Sequence, residues 1–399
     1  MLGFAEALAV VERVARTNRL PTERIALSRA HGRILAQDLA APMALPPFDN
    51  SAMDGIAFRH EDLAFARSEG LRLAGEQFAG VRQDLCVSRG TCVRITTGAP
   101  IPPGADTVAT RESLQVEDGQ VRIDGDPRPG ANVRRAGEDV HAGDVVLQAG
   151  AALTPARIAL AASLGTAQLD VSTRPTVAVF TTGDELVEPG LQLRPGEIYN
   201  SNRELLLGLL RADGLEPTAW PNLPDDPSRL ASMLRDAASS FDVVLTCGAV
   251  SAGEKDHVPQ VLRERGSIHF WKVRMKPGMP VLFGSLDRAS FLGLPGNPVS
   301  VLATSLTLGR ALLDGLQGRS EPRPRWRAQL ANDFEKRNGR LEFLRGRLRT
   351  DEDGNLQVLA NPADGSHRLA AAADSDVLIV LPEPARLFRA GEVVEVLPY

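Results

Sequence analysis

Thr176-Val-Ala-Val-Phe-Thr181 is a short, unbroken apolar run that passes directly into Thr182-Gly-Asp-Glu185. A run of this length without alternation is the pattern of a strand covered on both faces, and such strands belong to parallel sheets flanked by helices. The flanking sequence agrees. Asn200 to Ala212 has helical spacing, Asp226 to Ala238 is helical with an acid-rich start, and Phe241-Asp-Val-Val-Leu-Thr246 is a second buried-strand run. Residues 175–322 therefore predict a βαβ series and a doubly wound α/β domain, whose ligands gather beyond the carboxyl ends of the strands. Three stretches fall there: Thr182 to Glu185, Cys247 to Gly253, and Pro295-Gly-Asn-Pro298, the last preceding a helix through Ser305.

On the N-terminal side, Leu8, Val11 and Ala15 recur at helical spacing within Phe4 to Arg16, and Thr154 to Leu164 opens with a Thr-Pro start signal. These two helices are expected to pack together in a discontinuous helical domain of residues 1–45 and 141–174. Between them, runs such as Thr91-Cys-Val-Arg-Ile95 and Gln120-Val-Arg-Ile123 are punctuated by Gly, Pro and Asp, which predicts a β-rich insertion over 46–140. After Pro322 and Pro324, the runs Arg340-Leu-Glu-Phe-Leu344, Asp376-Val-Leu-Ile-Val-Leu381 and Val393-Val-Glu-Val-Leu397 predict a small C-terminal β-barrel or sandwich over 323–399.

A chain of 399 residues, 43% hydrophobic and 24% charged, is an ordinary globular composition long enough for several domains. The start Met1-Leu-Gly-Phe-Ala-Glu6 has no basic n-region, and no apolar run reaches the ~20 residues that cross a bilayer, so a cytoplasmic location is expected. Cys86, Cys92 and Cys247 form no pair or CxxC, and the six histidines lack ligand spacing, which argues against disulfides and zinc. With a net charge of −5, the chain does not suit a broad nucleic-acid surface. An anion would have to be held locally, by placed cations, backbone amides or a bridging divalent ion.

Several motifs carry chemistry, each with a structural alternative. Pro46-Pro-Phe-Asp-Asn-Ser-Ala-Met-Asp-Gly-Ile-Ala-Phe58 follows neither a helical nor a strand period, so it reads as a site loop or as turn chemistry. Thr182 to Glu185 either caps a following helix or contributes acids to a site. Gly248-Ala-Val-Ser-Ala-Gly-Glu-Lys255 is not a phosphate-binding Walker loop, because Glu254 separates glycine from lysine and Asp256 stands at the hydroxyl position. Asp184, Glu185, Asp225, Asp226, Glu254 and Asp256 gather near inferred strand ends, where a shared magnesium ion would relieve their repulsion. Lys272, Arg274 and Lys276 alternate along an expected strand and share a face, either as a solvated edge or as an anion site.

Taken together, the Pro46 loop, Thr96-Thr-Gly-Ala-Pro-Ile-Pro-Pro-Gly-Ala-Asp106, Thr181-Thr-Gly-Asp-Glu-Leu186, Gly248 to Gly253 and Leu294-Pro-Gly-Asn-Pro-Val-Ser300 resemble the MoeA/gephyrin E-domain family, nearly end to end. The resemblance implies a MogA-like α/β domain and a molybdopterin molybdenumtransferase activity: molybdate is inserted into adenylated molybdopterin, with magnesium-dependent release of AMP. It implies catalytic roles for Asp54, Thr97, Glu185, Asp226, Asp256, Lys272 and Lys276, with Glu185 and Asp256 holding the metal. It places the cofactor precursor against Arg134, Asp139, Gly248, Ser251, Gly253, Pro295, Gly296, Asn297 and Pro298. It further implies a homodimer with sites shared between subunits and an adenylyltransferase as a further partner. Ala136, Met279 and Ala249 depart from residues usual in the family. A gephyrin-like scaffold that binds partner peptides is the alternative, and an adenylyltransferase acting one step earlier is disfavoured by the additional Asp54 and Thr97 loops.

Overall fold

The computed structural model describes residues 1–80, 83–250, 257–363 and 365–399, and its three largest sheets each have six strands. The α/β sheet runs in the order Thr218–Ala219, Val177–Thr181, Val243–Cys247, Ala289–Leu294, Leu282–Leu286, Gly266–Trp271. Five of these strands run in one direction and only Leu282–Leu286, second from the edge, runs against them. The expected parallel sheet thus gains one antiparallel strand, because only Asp287 and Arg288 separate Leu286 from Ala289. A two-residue connection makes a hairpin, and Asp287 takes the positive φ of 48° such turns require.

Both faces of this sheet are covered, which is why its strands read as continuous apolar runs. Val177, Val179, Val243 and Leu245 pack toward the helices Phe4–Thr17, Ser201–Ala212 and the helix from Pro298. Ala178, Phe180 and Val244 point the other way, toward Pro227–Ser240 and Val258–Arg265. The helix that begins at Pro298 continues to Leu316, well past Ser305, through a π-helical turn at Ser305–Gly309. Its length and hydropathy would suit a membrane, but Val299, Val301, Leu302, Leu308 and Leu312 lie in the protein core.

The two early helices do not share a core. Ala7, Val11 and Ala15 of Phe4–Thr17 join the α/β cluster, where Gly315 allows close approach: a Cβ there would stand 2.6 Å from Ala15 Cβ. Ala161 of Pro155–Ser163 instead packs with Ala30, Leu35, Leu147 and Val171. A face of small residues fits a glycine-bearing helix, so shape rather than sequence neighbourhood decides this pairing.

The β-rich insertion is a sheet in the order Thr107–Thr110, Gly55–Phe58, Thr91–Ile95, Leu71–Gln77, Gln120–Ile123, Leu114–Glu117, around Ile56, Phe58, Leu71 and Cys92. At the C-terminus, Leu341–Thr350, Leu356–Ala360, Trp326–Leu330, Val393–Pro398 and Val377–Leu381 close into a five-stranded barrel, since the last strand pairs with the first. Met275–Lys276 adds to this barrel, with Lys276 opposite Glu342. A segment of the α/β domain is thereby tied to the barrel next to the carboxyl edge of the sheet.

Candidate active site

The carboxyl edge of the α/β sheet is built from loops that need glycine. Thr182 donates its N–H and its hydroxyl to the Cys247 carbonyl at 3.0 and 3.1 Å, joining the ends of two parallel strands. Gly248, at φ 95°, turns tightly beneath it; a Cβ there would fall 2.3 Å from Thr182 Oγ1. Gly183, at φ 128°, leaves room for the Glu185 carboxylate, which folds over it. That carboxylate makes no hydrogen bond or ion pair among the described residues, so it is an available hard oxygen donor. Thr182 to Glu185 does not cap a helix: it leads into the strand Leu186–Val187, and the next helix is capped by Asn200.

Beneath this loop lies a buried polar network. Asn222 Oδ1 accepts from Thr181 Oγ1 at 2.5 Å, Asn200 Nδ2 at 3.0 Å and Arg203 Nη2 at 2.8 Å, while Asn222 Nδ2 donates to the Leu186 carbonyl at 3.3 Å. This network fixes the backbone beside Glu185. On the far side, Asn202 Nδ2 donates to the Gly296 carbonyl at 2.6 Å, and its Oδ1 is buried without a hydrogen-bond partner among the described residues. Asn297 Nδ2 donates to Ser366 Oγ of the barrel domain at 2.9 Å, and Pro298 starts the long helix. Pro295-Gly296-Asn297-Pro298 is thus clamped between the two domains.

Asp226 sits at the same edge with a structural task. It is the N-cap of Pro227–Ser240, where its Oδ1 accepts the Arg229 N–H at 2.8 Å. Ser251, Gly253 and Asp256, expected in the glycine-rich loop and at the metal, lie outside the described residues. Among the described residues no group of three or more His, Cys, Asp or Glu side chains is arranged to hold a metal.

The basic segment is not one strand with a shared face. The edge strand ends at Trp271, Lys272 takes φ 71°, and only Met275–Lys276 is again extended. The three cations have separate surroundings. Lys272 Nζ lies 5.0 Å from the centroid of the Trp271 ring, Arg274 pairs with Glu383 at 2.8 Å, and Lys276 Nζ pairs with Glu342 at 2.8 Å. Lys276 lines a cleft of about 380 Å³ with Pro277, Pro295, Asn297, Ser300, Arg340, Arg345 and Ser366. The sheet edge, the Pro-Gly-Asn-Pro turn and the barrel meet there.

A second constellation lies on the β-rich insertion. Asp54 Oδ1 accepts the Thr97 N–H at 2.7 Å and the Thr97 hydroxyl at 2.8 Å. The Thr97 N–H first, then its hydroxyl, hold the Asp54 carboxyl below the usual range, helped by Arg111 and Arg94. Gly55 makes this possible, because a Cβ there would collide with the Ala109 carbonyl at 1.9 Å. Asp49 binds the Ala136 N–H at 2.8 Å and Arg135 Nη1 at 2.6 Å, and its carboxyl is lowered mainly by the former. Arg134 is exposed on the short strand Val133–Arg134, paired with Asn50, and Asp139 is exposed in the turn that follows. Among the described residues no hydrogen bond or ion pair links Asp54 or Thr97 to Glu185, Lys272 or Lys276.

Ser300, Arg340, Glu342, Arg345 and Ser366 belong to the cleft and were not singled out from the sequence. Lysine usage is a signal that bears on this region. The chain carries 45 basic residues, yet its lysines are only Lys255, Lys272, Lys276 and Lys336. Lys276 lines the cleft, and Lys336 lies beneath it, buried, donating to the carbonyls of Asn338 and Glu383. Burial pushes the Lys336 ammonium below its ordinary pKa, against the opposing pull of Glu342 and Glu383. Asn338 Nδ2 in turn donates to Glu342 Oε2 at 2.6 Å, so the buried lysine supports the carboxylate that holds Lys276.

Comparison with known proteins covers nearly the whole chain. Residues 2–165 match the family described as MoeA N-terminal region (domain I and II), residues 178–314 the probable molybdopterin binding domain, and residues 327–399 the MoeA C-terminal region (domain IV). The chain is 41% identical over 381 residues to a molybdopterin molybdenumtransferase of Haemophilus influenzae, covering 95% of this chain and 94% of that one. It is 36% identical over 406 residues to molybdopterin molybdenumtransferase 2 of Mycobacterium tuberculosis, covering 99% of each. The crystal structure of the molybdopterin biosynthesis MoeA protein from Pyrococcus horikoshii OT3 superposes with a TM-score of 0.85 at 30% identity, over 100% of both chains.

Proposed function

The chain belongs to the MoeA family and is a transferase of molybdenum cofactor biosynthesis, and from that premise we propose that it inserts molybdate into adenylated molybdopterin and releases AMP. The observation that carries this reading is the placement of the Glu185 loop and the Pro295–Pro298 turn at the carboxyl ends of strands in one sheet, with Lys276 lining the cleft beside that turn. No protein nucleophile is needed. Water cleaves the phosphoanhydride to give AMP, and the dithiolene sulfurs displace molybdate oxygen, which leaves as water, so the protein's work is to place charges.

Lys272 and Lys276 bind the phosphate and molybdate oxygens in this reading. Asn297 and Ser366, bonded to each other, fix the turn against the barrel. Thr182 and Gly248 set the height of the loop that carries Glu185, and the Asn222 network keeps that loop from shifting as the substrate enters. Glu185, with Asp256, is the proposed magnesium site; the unengaged Glu185 carboxylate fits a hard cation. Bound magnesium would neutralise charge on the departing AMP.

The separation of Asp54 and Thr97 from Glu185 and Lys276 fits a homodimer in which one subunit's β-rich insertion completes its partner's site. Asp54, held ionised by Thr97, would then bring a charged acceptor to the substrate. An adenylyltransferase delivering the activated pterin and a cytoplasmic location belong to the same proposal. The scaffold alternative gains nothing from the relatives described above, which carry transferase names. The test is a magnesium titration of AMP release by wild-type protein and Glu185→Gln. The substitution is expected to abolish the magnesium-dependent rate while leaving a cooperative melt, and an unaltered metal dependence would remove Glu185 from the site.

A further inference from the structure

Ala249 and Lys272 are non-glycine residues with positive φ, at 53° and 71°, and Trp271 contacts Val250 beside the first and the ammonium of the second. Such conformations persist only where the surroundings over-determine them. The Lys272 backbone is held by the Val281 carbonyl and the Leu2 N–H, and Trp271 is a neighbour that both segments share. Its Nε1–H donates to the Val250 carbonyl at 2.7 Å, next to Ala249 on the arm that leaves the strand Val243–Cys247. The Lys272 ammonium stands 5.0 Å from the ring centroid and the Arg263 guanidinium 5.2 Å from it. The ring is itself anchored: Trp271 pairs with Leu282 in the edge strand and packs against the cluster that contains Phe180 and Leu282. One side chain therefore grips both the arm Gly248–Val250, through a hydrogen bond, and Lys272, through cation–π attraction.

We propose that Trp271 is a positioning residue that locks Lys272 and the arm Gly248–Val250 into a single anion-binding surface. The proposal rests on the reading of Lys272 as an anion ligand given above. A lysine on a free four-carbon stem samples many rotamers, and each must be lost when it binds an anion. A ring that holds the ammonium in advance removes much of that loss, and it holds the charge without neutralising it, as a carboxylate would. Lys272 differs in this from Arg274 and Lys276, which are each held by a glutamate. The loop arm and the lysine would then move together, so that disturbing the ring disturbs both.

The test uses the full chain and two probes, AMP and molybdate, titrated separately by calorimetry into wild type, K272A, W271F, W271L and the W271L/K272A double variant, with a thermal melt of each. Because the chain has four lysines, reductive ¹³C-methylation gives few side-chain signals, and Lys272 can be assigned from K272R. A ring-current shift of the Lys272 methyls in wild type, lost in W271L, reports the stacking directly. W271L is expected to weaken binding of the affected probe about tenfold, as K272A does, and the double variant to be no weaker than K272A. W271F, which keeps an aromatic ring but removes the N–H with the pyrrole part of the indole, is expected to retain a reduced shift and to lose about threefold; it carries the test if W271L does not fold. Wild-type affinity in W271L or W271F, or effects of W271L and K272A that multiply, would overturn the proposal. If K272A binds both probes as wild type does, the fault lies with the reading of Lys272 as an anion ligand, and the inference falls with it.

Discussion

Lys276→Met separates what the cleft does for stability from what it does for chemistry. Glu342 is buried, with 4% of its surface exposed, and its carboxylate is held by Lys276 Nζ at 2.8 Å and Asn338 Nδ2 at 2.6 Å. Removing Lys276 leaves that carboxylate short of a cation, and breaking a buried pair from one side costs about 3–5 kcal/mol. The Lys276 side chain is 35% exposed and the buried Lys336 ammonium remains nearby, so the loss should fall to about 2–3 kcal/mol. Denaturant unfolding measures it. Adding Glu342→Gln removes the stranded charge and should restore stability to within about 1 kcal/mol of wild type. AMP release should stay lost in both variants, because the cation itself is missing. Wild-type stability in Lys276→Met would show that the pair is not the buried interaction described here, and recovery of AMP release in the double variant would show that Lys276 does not touch substrate.

Thr97→Val keeps the N–H that Asp54 accepts but removes the hydroxyl, so the Asp54 carboxyl should titrate closer to its ordinary 3.8, as followed by ¹³C NMR. Because the folded value is depressed, the stability linked to Asp54 is present above that ordinary value and is lost as pH falls through the folded one; an unchanged titration in the variant would remove the hydroxyl as a donor. Mixing inactive Asp54→Asn with inactive Glu185→Gln under subunit exchange should recover about a quarter of wild-type activity, since random pairing gives half the dimers one intact site of two. No recovery despite exchange verified by mass spectrometry would mean that the two constellations meet within one chain.

The α/β domain was legible because its strands are covered on both faces: Val177 to Phe180 and Val243 to Leu245 leave no polar residue to break the run. Its one antiparallel strand, Leu282–Leu286, follows from the brevity of Asp287-Arg288, which leaves no room for a crossover. The site loops could be found because they follow strand ends, and Gly248 and Gly183 occupy positions where a side chain would collide with Thr182 or Glu185. Less could be read where tertiary contacts decide. The spacing of Lys272, Arg274 and Lys276 looks like a strand, but φ at Lys272 breaks the alternation, and nothing in the local sequence announces a positive φ at a lysine. Asp226 carries the same acid that a metal site needs, yet its place before Pro227 makes it a helix cap. The small-residue face of Ala7, Val11 and Ala15 was visible, but its match to Gly315, some three hundred residues later, appears only once the chain is folded.

The most direct test of the account is a single-turnover reaction of the purified full-length protein with adenylated molybdopterin, magnesium and molybdate, measuring AMP and pterin-bound molybdenum together. The account predicts AMP and molybdenum-loaded cofactor appearing in equal amounts in wild type, and neither in Glu185→Gln nor Lys276→Met. Substrate that stays intact with wild-type protein, or AMP released without molybdenum gained by the pterin, would contradict it.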